Sequence, residues 1–308
     1  MKYLPILFAL LLPAATLQAA NPLFPDLAAD VSAREFNGKV YLYCTHDQAS
    51  GRPWTTYDFH VYSSSDLVHW KDHGVAFQRS DVKWEHDKSL WAPDCIKRNG
   101  KYYLYFAMPS GNGGKIGVAV SDKPEGPFVD PIGKPLISGT ELKTGSAIDP
   151  NVFIDDDGQA YLFFGNGRFH VVKLKEDMVT RDGDVIALDI HDPGEGPWVH
   201  KRNGIYYLSY PAGAYKGPSK NQVMVYSTAT NPLGPWEYRG RIIFDNGGGN
   251  IHGSIAQFGS KWYVFYHRPA KGPGLTWQRQ VCADYLEYNP DGSIKEVVPT
   301  TVGVEWKH

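Results

Sequence analysis

The sequence has few cysteines, little excess charge of either sign and no long hydrophobic run. Three cysteines among 308 residues are too few for a disulfide framework. Cys44, Cys95 and Cys282 each lie in a strand-like apolar stretch, which predicts buried free thiols, with one disulfide as the alternative in an oxidising compartment. A formal net charge of −2 and the lack of a basic cluster argue against a nucleic-acid partner.

The first residues have the pattern of an export signal: Lys2, the apolar run Leu4–Leu17, and then the small residues Ala19 and Ala20. The apolar run is shorter than the roughly 20 residues that a membrane-spanning helix needs, so a membrane anchor is not expected. The first cysteine, Cys44, lies far from the cleavage point, which argues against a lipid anchor. The sequence predicts a signal peptide at residues 1–20 and a secreted or periplasmic mature chain, residues 21–308.

Aromatic residues make up 14% of the chain, and glycine (32) and proline (22) are plentiful, which is typical of short strands joined by tight turns. One pattern, a turn glycine followed by an aromatic-rich strand, recurs five times at intervals of 46 to 62 residues. Its markers are Tyr41, Tyr103, Tyr161, Tyr207 and Tyr263. Each unit holds about four strand-like segments, and no helical periodicity competes. The repeat predicts an all-β fold, a single-domain five-bladed β-propeller, with a β-sandwich as the alternative.

Polar residues stand eleven or twelve positions before the marker tyrosines, where the first strand of each blade begins. They are Asp30, Asp149, Glu195 and His252, with Trp91 in the second repeat. Side chains alternate along a strand, so one residue at each strand mouth can point toward the channel axis, and we expect this set to converge there. For any one aspartate, a turn role is the simpler interpretation, and the shared register is what favours a common site.

Converging carboxylates beside an aromatic residue are typical of glycoside hydrolysis. One carboxyl group protonates the leaving oxygen, and another activates water or attacks the sugar directly. Like charges at close range raise one pKa and keep the acid protonated near neutral pH. Trp91 could stack on the apolar face of a sugar, or it could be a core aromatic residue.

In these same segments the sequence resembles glycoside hydrolase family 43, over essentially the whole mature chain. The matching segments are Ala29–Ser32, Trp91–Asp94, Ala147–Phe153, Glu195–Gly204 and His252–Ile255. The resemblance implies a five-bladed propeller and an inverting mechanism, with Asp30 as general base, Glu195 as general acid, and Asp149 orienting Glu195 and tuning its pKa. One departure is Val31, where the family usually has proline after the base, and Asp26 lies nearby in the sequence.

The resemblance also implies residues that hold ligands. His252 resembles an axial histidine that often contacts a central calcium ion through water, and a histidine hydrogen-bonded within the channel is the alternative, because calcium prefers oxygen ligands. Arg279 resembles an arginine that contacts substrate, with a surface arginine as the alternative. His46 and Asp58 are weaker candidates for the pocket rim. The run Asp155–Gly158 could suggest calcium, but a hairpin turn is the plainer interpretation.

The leading hypothesis is an exo-acting enzyme that removes α-L-arabinofuranosyl or β-xylosyl units from arabinose- or xylose-containing poly- or oligosaccharides, a substrate class that the resemblance implies. Arabinanase or galactosidase activity on the same scaffold and a non-catalytic sugar-binding propeller are the alternatives. A retaining fructosidase-like enzyme is disfavoured, because Ala29-Asp30-Val31 does not match the Asn-Asp-Pro-Asn-Gly context of such a nucleophile. No organic cofactor is expected.

Overall fold

The computed structural model describes residues 19–50, 52–85, 89–216, 222–243, 245–270 and 276–306, without the side chains of residues 213–216. Five antiparallel sheets follow one another along the chain, which confirms the predicted five-bladed propeller. The predicted signal peptide lies outside the described residues except for Ala19 and Ala20. Within the described ranges, no helix is long and apolar enough to cross a membrane.

Each sheet is a meander of consecutive strands. Blade 1 consists of β1 (Ala28–Phe36), β2 (Lys39–Asp47), β3 (Thr56–Ser64) and β4 (Lys71–Gln78). Blade 2 consists of β5 (Trp91–Arg98), β6 (Lys101–Met108), β7 (Lys115–Ser121) and β8 (Ile137–Ser138). Blade 3 consists of β9 (Asn151–Ile154), β10 (Ala160–Gly165), β11 (Phe169–Leu174) and β12 (Ile186–Ala187). Blade 4 consists of β13 (Trp198–Arg202), β14 (Ile205–Lys216), β15 (Gln222–Ala229) and β16 (Glu237–Ile243). Blade 5 consists of β17 (Gly253–Phe258), β18 (Lys261–Pro269) and β19 (Arg279–Leu286).

The hydrophobic core is divided into five clusters, one at each junction between neighbouring blades. The last cluster joins blade 5 to blade 1, so the ring of blades is closed, and the sandwich alternative is wrong. All five marker tyrosines are buried in these clusters, which explains why an aromatic residue recurs in the second strand of each blade. Cys44, Cys95 and Cys282 are buried free thiols in three different clusters, as the sequence predicts.

Blade 5 has three strands within the described residues, where the repeat predicts about four. The N-terminal segment lies beside its outermost strand: the backbone N–H of Leu23 donates to the carbonyl of Val281, and the Asn21 side chain exchanges hydrogen bonds with Ala283. The segment that contains Asn21 and Leu23 therefore covers the edge of the last blade, and the outer edge of β19 is protected.

Short hairpins link the first two strands of the blades. Asn37-Gly38, Asn99-Gly100 and Asn203-Gly204 all have positive φ at both residues, as a two-residue hairpin turn requires. The acidic run Asp155–Gly158 closes the β9–β10 hairpin, where the N–H of Asp155 donates to the carbonyl of Gln159. Lys201 binds Asp155 and Asp156 at 2.7 and 2.9 Å, which neutralises the run. The hairpin interpretation of this run is confirmed.

Candidate active site

The first strands of the blades share a backbone irregularity at the end where the candidate acids lie. In β1 and β5 the pairing with the next strand slips by one residue, a β-bulge. The residue in the bulge adopts left-handed backbone angles, and its counterparts in blades 3 and 4 do the same, with φ of 50°, 44°, 54° and 56° for Asp30, Ala92, Asp149 and Gly196. A bulge redirects a side chain, and this one turns Asp30 and Asp149 toward the channel axis.

Strand pairing corrects the register predicted from the sequence. Asp30, Asp149 and His252 each stand four residues before the partner of their marker tyrosine. Glu195 stands five residues before its reference residue, His200, so the structural counterpart in blade 4 is Gly196. The counting from the marker tyrosines misses this offset because the β9–β10 hairpin is one residue longer than the others. Twelve positions before the marker in blade 3 therefore correspond to eleven positions before the marker in the other blades. Trp91 is displaced from the shared register in the same way.

His252 lies at the centre of the site and is buried. Its Nδ1 is 3.4 Å from Oδ1 of Asp30, and its Nε2 is 3.5 Å from Oδ2 of Asp149 and 3.4 Å from Oε1 of Glu195. Burial alone would lower the pKa of His252, but the three carboxylates outweigh it and raise the pKa to about 10. The imidazolium therefore separates Asp30 on one side from the Asp149–Glu195 pair on the other.

Gly196 is what allows the histidine to come this close. A Cβ atom added to Gly196 would lie 2.9 Å from the ring of His252, and the φ of this residue is +56°. Because of this short contact and the positive φ, any residue with a side chain at this position would be energetically costly. The glycine that follows the candidate acid therefore leaves the space that the ring of His252 occupies.

Asp30 is held by Arg279, the first residue of β19. The guanidinium donates a hydrogen bond of 2.7 Å to Oδ1 of Asp30 and two hydrogen bonds of 2.8 Å to the carboxylate of Asp47. Burial favours the neutral acid, but Arg279, His252 and His267 overcome this and hold the pKa of Asp30 well below its usual range. Asp30 is thus an ionised carboxylate at neutral pH.

Asp149 and Glu195 behave differently from Asp30. Burial and the nearby charges of Glu195 and Asp30 raise the pKa of Asp149 to about 7. Burial also acts on Glu195, yet contacts with His252 and Asn250 keep its pKa below the usual value. Asn166 donates a hydrogen bond of 3.0 Å to Oε2 of Glu195, and the N–H of Gly196 donates one of 3.1 Å to Asp149. Burial and the neighbouring charges therefore favour Asp149 over Glu195 as the protonated member of the pair.

A cavity of about 310 Å³ opens directly above these groups. Its polar floor is formed by Asp30, Asp149, Glu195, His252 and Arg279, and its walls include Trp54, Trp91, Ile148, Asn166 and Asn250. Nε1 of Trp91 donates to the backbone carbonyl of Trp54 at 2.9 Å, so the indole of Trp91 is tied to the backbone of the segment that carries Trp54. The guanidinium of Arg279 lies 5.1 Å from the ring centroid of Trp54. An aromatic wall over a floor of carboxylates can hold a sugar ring against an acid and a base.

The structure brings together most of the predicted site residues but not all of them. Asp30, Asp149, Glu195, His252, Trp91 and Arg279 line one cavity. The surface alternative for Arg279 is wrong: the residue is 3% exposed and its contacts are to Asp30 and Asp47. His46 and Asp58 are not among the residues that line this cavity. They bind each other at 2.6 Å between β2 and β3, because the alternation along these strands turns both side chains to the same face of blade 1.

Sequence reasoning missed several residues of the site. Trp54 and Asp47 flank the β2–β3 connection, where no repeat position marks them. Asn166 and Asn250 follow or lie between glycines, and Gly-Asn-Gly in residues 165–167 was a signal for a tight turn that could have indicated the first. Asn250 connects the two halves of the site, because it donates to Glu195 at 3.4 Å and also contacts His267, whose Nδ1 accepts the backbone N–H of Asp30.

The position of His252 also bears on the calcium expectation. Nε2 of His252 is buried and makes no hydrogen bond of good geometry in the described part of the chain. One ligand atom each from Asp149, Glu195 and His252 lies within 4.8 Å of the others. Calcium prefers oxygen ligands and commonly completes its shell with water, for which the adjoining cavity has space. The cluster therefore offers the carboxylate oxygens, and the adjoining cavity the space for water, that a calcium ion near His252 would need.

Comparison with known proteins identifies relatives that match most of the chain. The family model for glycosyl hydrolases family 43 matches residues 19–294. The chain is 35% identical over 334 residues to a xylosidase/arabinosidase of Humicola insolens, covering 89% of this chain and 98% of the relative. It is 34% identical over 304 residues to a β-D-galactofuranosidase of Aspergillus niger, covering 94% and 87% respectively.

Solved structures agree with these relatives. A β-xylosidase/α-arabinofuranosidase from a compost microbial metagenome, in a calcium-free complex with xylotriose, has a TM-score of 0.81 and 32% identity, with 93% of this chain and 98% of that chain covered. An α-L-arabinofuranosidase from Clostridium thermocellum has a TM-score of 0.74 and 35% identity, with 90% and 95% covered.

Proposed function

The chain belongs to glycosyl hydrolase family 43, whose members are inverting glycoside hydrolases, and from this premise we propose that it removes terminal α-L-arabinofuranosyl and β-D-xylosyl units from plant cell-wall polysaccharides or oligosaccharides. The observation that carries the proposal is the convergence of Asp30, Asp149 and Glu195 around His252 at the floor of one cavity.

In this proposal Asp30 is the general base that activates water. Its pKa is held low, so it is ionised at neutral pH and can accept the proton of a water molecule. Arg279 fixes its orientation with two contacts, at 2.7 and 3.3 Å. His252 separates Asp30 from the other two carboxyl groups. An inverting enzyme needs such a gap, because water must fit between its base and the sugar.

Glu195 is the proposed general acid, and Asp149 supplies and tunes its proton. The raised pKa of Asp149, about 7, means that the pair keeps a proton at the pH where Asp30 is ionised. A bound sugar would exclude water from Glu195, which is 19% exposed, and so raise its pKa. We infer that the proton then resides on Glu195, from which it passes to the oxygen of the leaving group. The displaced sugar takes its new hydroxyl group from the water on the opposite face.

The size and walls of the cavity support an exo mode of attack. A cavity of about 310 Å³ lies at the low end of the range for ligand pockets and suits a terminal sugar better than the middle of a polymer. Trp91 and Trp54 offer apolar faces on which one sugar ring can stack. Because one relative is named a β-D-galactofuranosidase, galactofuranosides are the second candidate substrate.

We further propose that a calcium ion is held at the channel axis near His252, which would contact it through water, with Asp149 and Glu195 close by. The ion would supply positive charge among the three carboxylates when bound. We also propose that residues 1–20 direct export and that the enzyme acts outside the cytoplasm, since its polymeric substrates are found there. The pattern of Lys2, the apolar run and Ala19-Ala20 supports this.

The experiment that tests the function is an activity panel on nitrophenyl glycosides. It includes α-L-arabinofuranoside, β-D-xyloside and β-D-galactofuranoside, for the wild type, for Glu195→Gln and for the exposed control Glu287→Gln. We expect turnover of the first two substrates, retained by the control and lowered in Glu195→Gln. If wild type and Glu195→Gln are equally inert on the whole panel, the chain is a sugar-binding propeller and the proposal fails.

A further inference from the structure

A second cluster of metal-ligating side chains lies in blade 1, outside the cavity described above. Asp58 Oδ1 is 2.6 Å from Nδ1 of His46 and 3.7 Å from Nε2 of His60. The rings of the two histidines are 4.2 Å apart between centroids. One ligand atom from each of the three residues lies within 4.8 Å of the others. Two imidazoles and one carboxylate thus face a common point.

The separations are close to those of a tetrahedral zinc site. With Zn–N and Zn–O bonds of about 2.0–2.1 Å, neighbouring ligand atoms are about 3.3–3.4 Å apart. The Asp58–His46 distance is shorter than this and the Asp58–His60 distance is longer. A shift of Oδ1 of Asp58 by less than about 1 Å would bring its distances to both histidine nitrogens into the range for zinc. Three protein ligands and one water would complete the coordination.

Asp72 supplies the outer contact that such a site needs. Nδ1 of His60 is buried and has no hydrogen-bond partner among the residues that the structure describes, and Oδ1 of Asp72 lies 3.3 Å away from it. A carboxylate at this nitrogen favours the tautomer that carries its proton on Nδ1 and leaves Nε2 free to bind metal. Asp26 is also close enough to act electrostatically on His46. The two imidazoles are therefore surrounded by negative charge.

The cluster is also accessible to an ion. The side chains of His46, Asp58 and His60 are 32%, 18% and 17% exposed. They are partly packed against neighbouring residues, and an ion can still reach them from solvent. Imidazole and carboxylate together suit zinc better than calcium, which prefers an all-oxygen shell. We propose that His46, Asp58 and His60 form a zinc-binding site on blade 1, distinct from the cavity at His252, and that Asp72 positions His60.

Metal titration of the full-length protein tests this proposal. EDTA-treated protein is dialysed into excess Ca²⁺, which occupies any calcium site and does not compete for imidazole, and is then titrated with Zn²⁺ by calorimetry. Co²⁺ is used in parallel, because its visible absorption reports tetrahedral coordination. We expect one equivalent of each metal to bind, with an absorption band typical of nitrogen and oxygen ligands.

Variants locate the metal. His60→Gln and the more exposed His46→Gln should each weaken zinc binding more than about 100-fold, and Asp72→Asn should weaken it about 10- to 100-fold. The matched control is His69→Gln, which disrupts another His–Asp pair, His69–Asp66 at 2.7 Å, that has no third ligand. It should bind zinc as the wild type does. If the wild type takes up no zinc, or if His46→Gln binds it as tightly, the proposal is overturned.

Discussion

Removing Arg279 should reveal the pKa of the proposed base. The guanidinium donates to Asp30 at 2.7 Å and to Asp47 at 2.8 Å, and all three side chains are at most 7% exposed. Breaking a buried ion pair from one side costs about 3–5 kcal/mol, because the remaining charges are left without a partner. If about half of that loss falls on the carboxylate of Asp30, its pKa rises by about 1–2 units, at about 1.4 kcal/mol per unit.

The sign of the pH effect follows from the lowered pKa of Asp30. In the wild type the base is lost only when pH falls through that low pKa, so kcat/KM should be level on the acid side of the accessible range. In Arg279→Met the acid limb should lie about 1–2 pH units higher than in the wild type. The measurement is kcat/KM against pH on an aryl pentoside, together with urea unfolding at pH 7, where we expect a loss of about 3–5 kcal/mol.

Two controls separate electrostatics from stability. Arg279→Lys keeps one positive charge but loses the forked geometry, so its acid limb should lie between those of the wild type and Arg279→Met. Arg34→Met breaks another buried pair, Arg34–Asp94 at 2.6 Å, and should lower stability without moving the acid limb. If Arg279→Met is destabilised but its acid limb matches that of the wild type, Arg279 does not control the base and the reasoning is refuted.

Three further predictions concern the acid side of the site. Glu195→Gln should lower kcat/KM about 10²–10⁴-fold on a substrate with a poor leaving group and far less on a dinitrophenyl glycoside, which needs no proton; equal losses on both would contradict an acid role. Asp149→Asn should move the alkaline limb of kcat/KM from near pH 7 to lower pH, because the charge that retains the proton is gone; a limb at its original position would remove Asp149 from that role. Gly196→Ala should lower both activity and stability, the latter by about 1–2 kcal/mol, since its Cβ meets the ring of His252 at a positive φ; a fully active variant in unfolding and kinetic assays would show that the glycine is dispensable.

The sequence carries the fold through its repeats. Each blade needs a turn glycine before its second strand and an aromatic residue within that strand. Tyr41 and its four counterparts meet the second need, because they pack between neighbouring blades. Radial closure then brings distant residues together, so that Asp30 and Glu195 meet although 165 positions, the difference of their numbers, separate them. The blade count and the convergence of the acids were therefore predictable.

Details that depend on loops were not predictable. Counting back from a marker assumes equal hairpins, and the longer β9–β10 hairpin hides the fact that Glu195 stands one position before the shared register. Trp54 enters the site from a connection that differs from blade to blade. His46 and Asp58 look like pocket residues in the sequence, but the alternation of β2 and β3 pairs them on another face of blade 1.

The stereochemistry of the first product tests the central claim most directly. Proton NMR during hydrolysis of an aryl β-D-xyloside and an aryl α-L-arabinofuranoside shows the anomer released before mutarotation. With Asp30 activating water and Glu195 protonating the leaving group, the first products should be the α-xylose and β-arabinofuranose anomers. Initial release of β-xylose or α-arabinofuranose, with configuration retained, would contradict the assignment of Asp30 as the base.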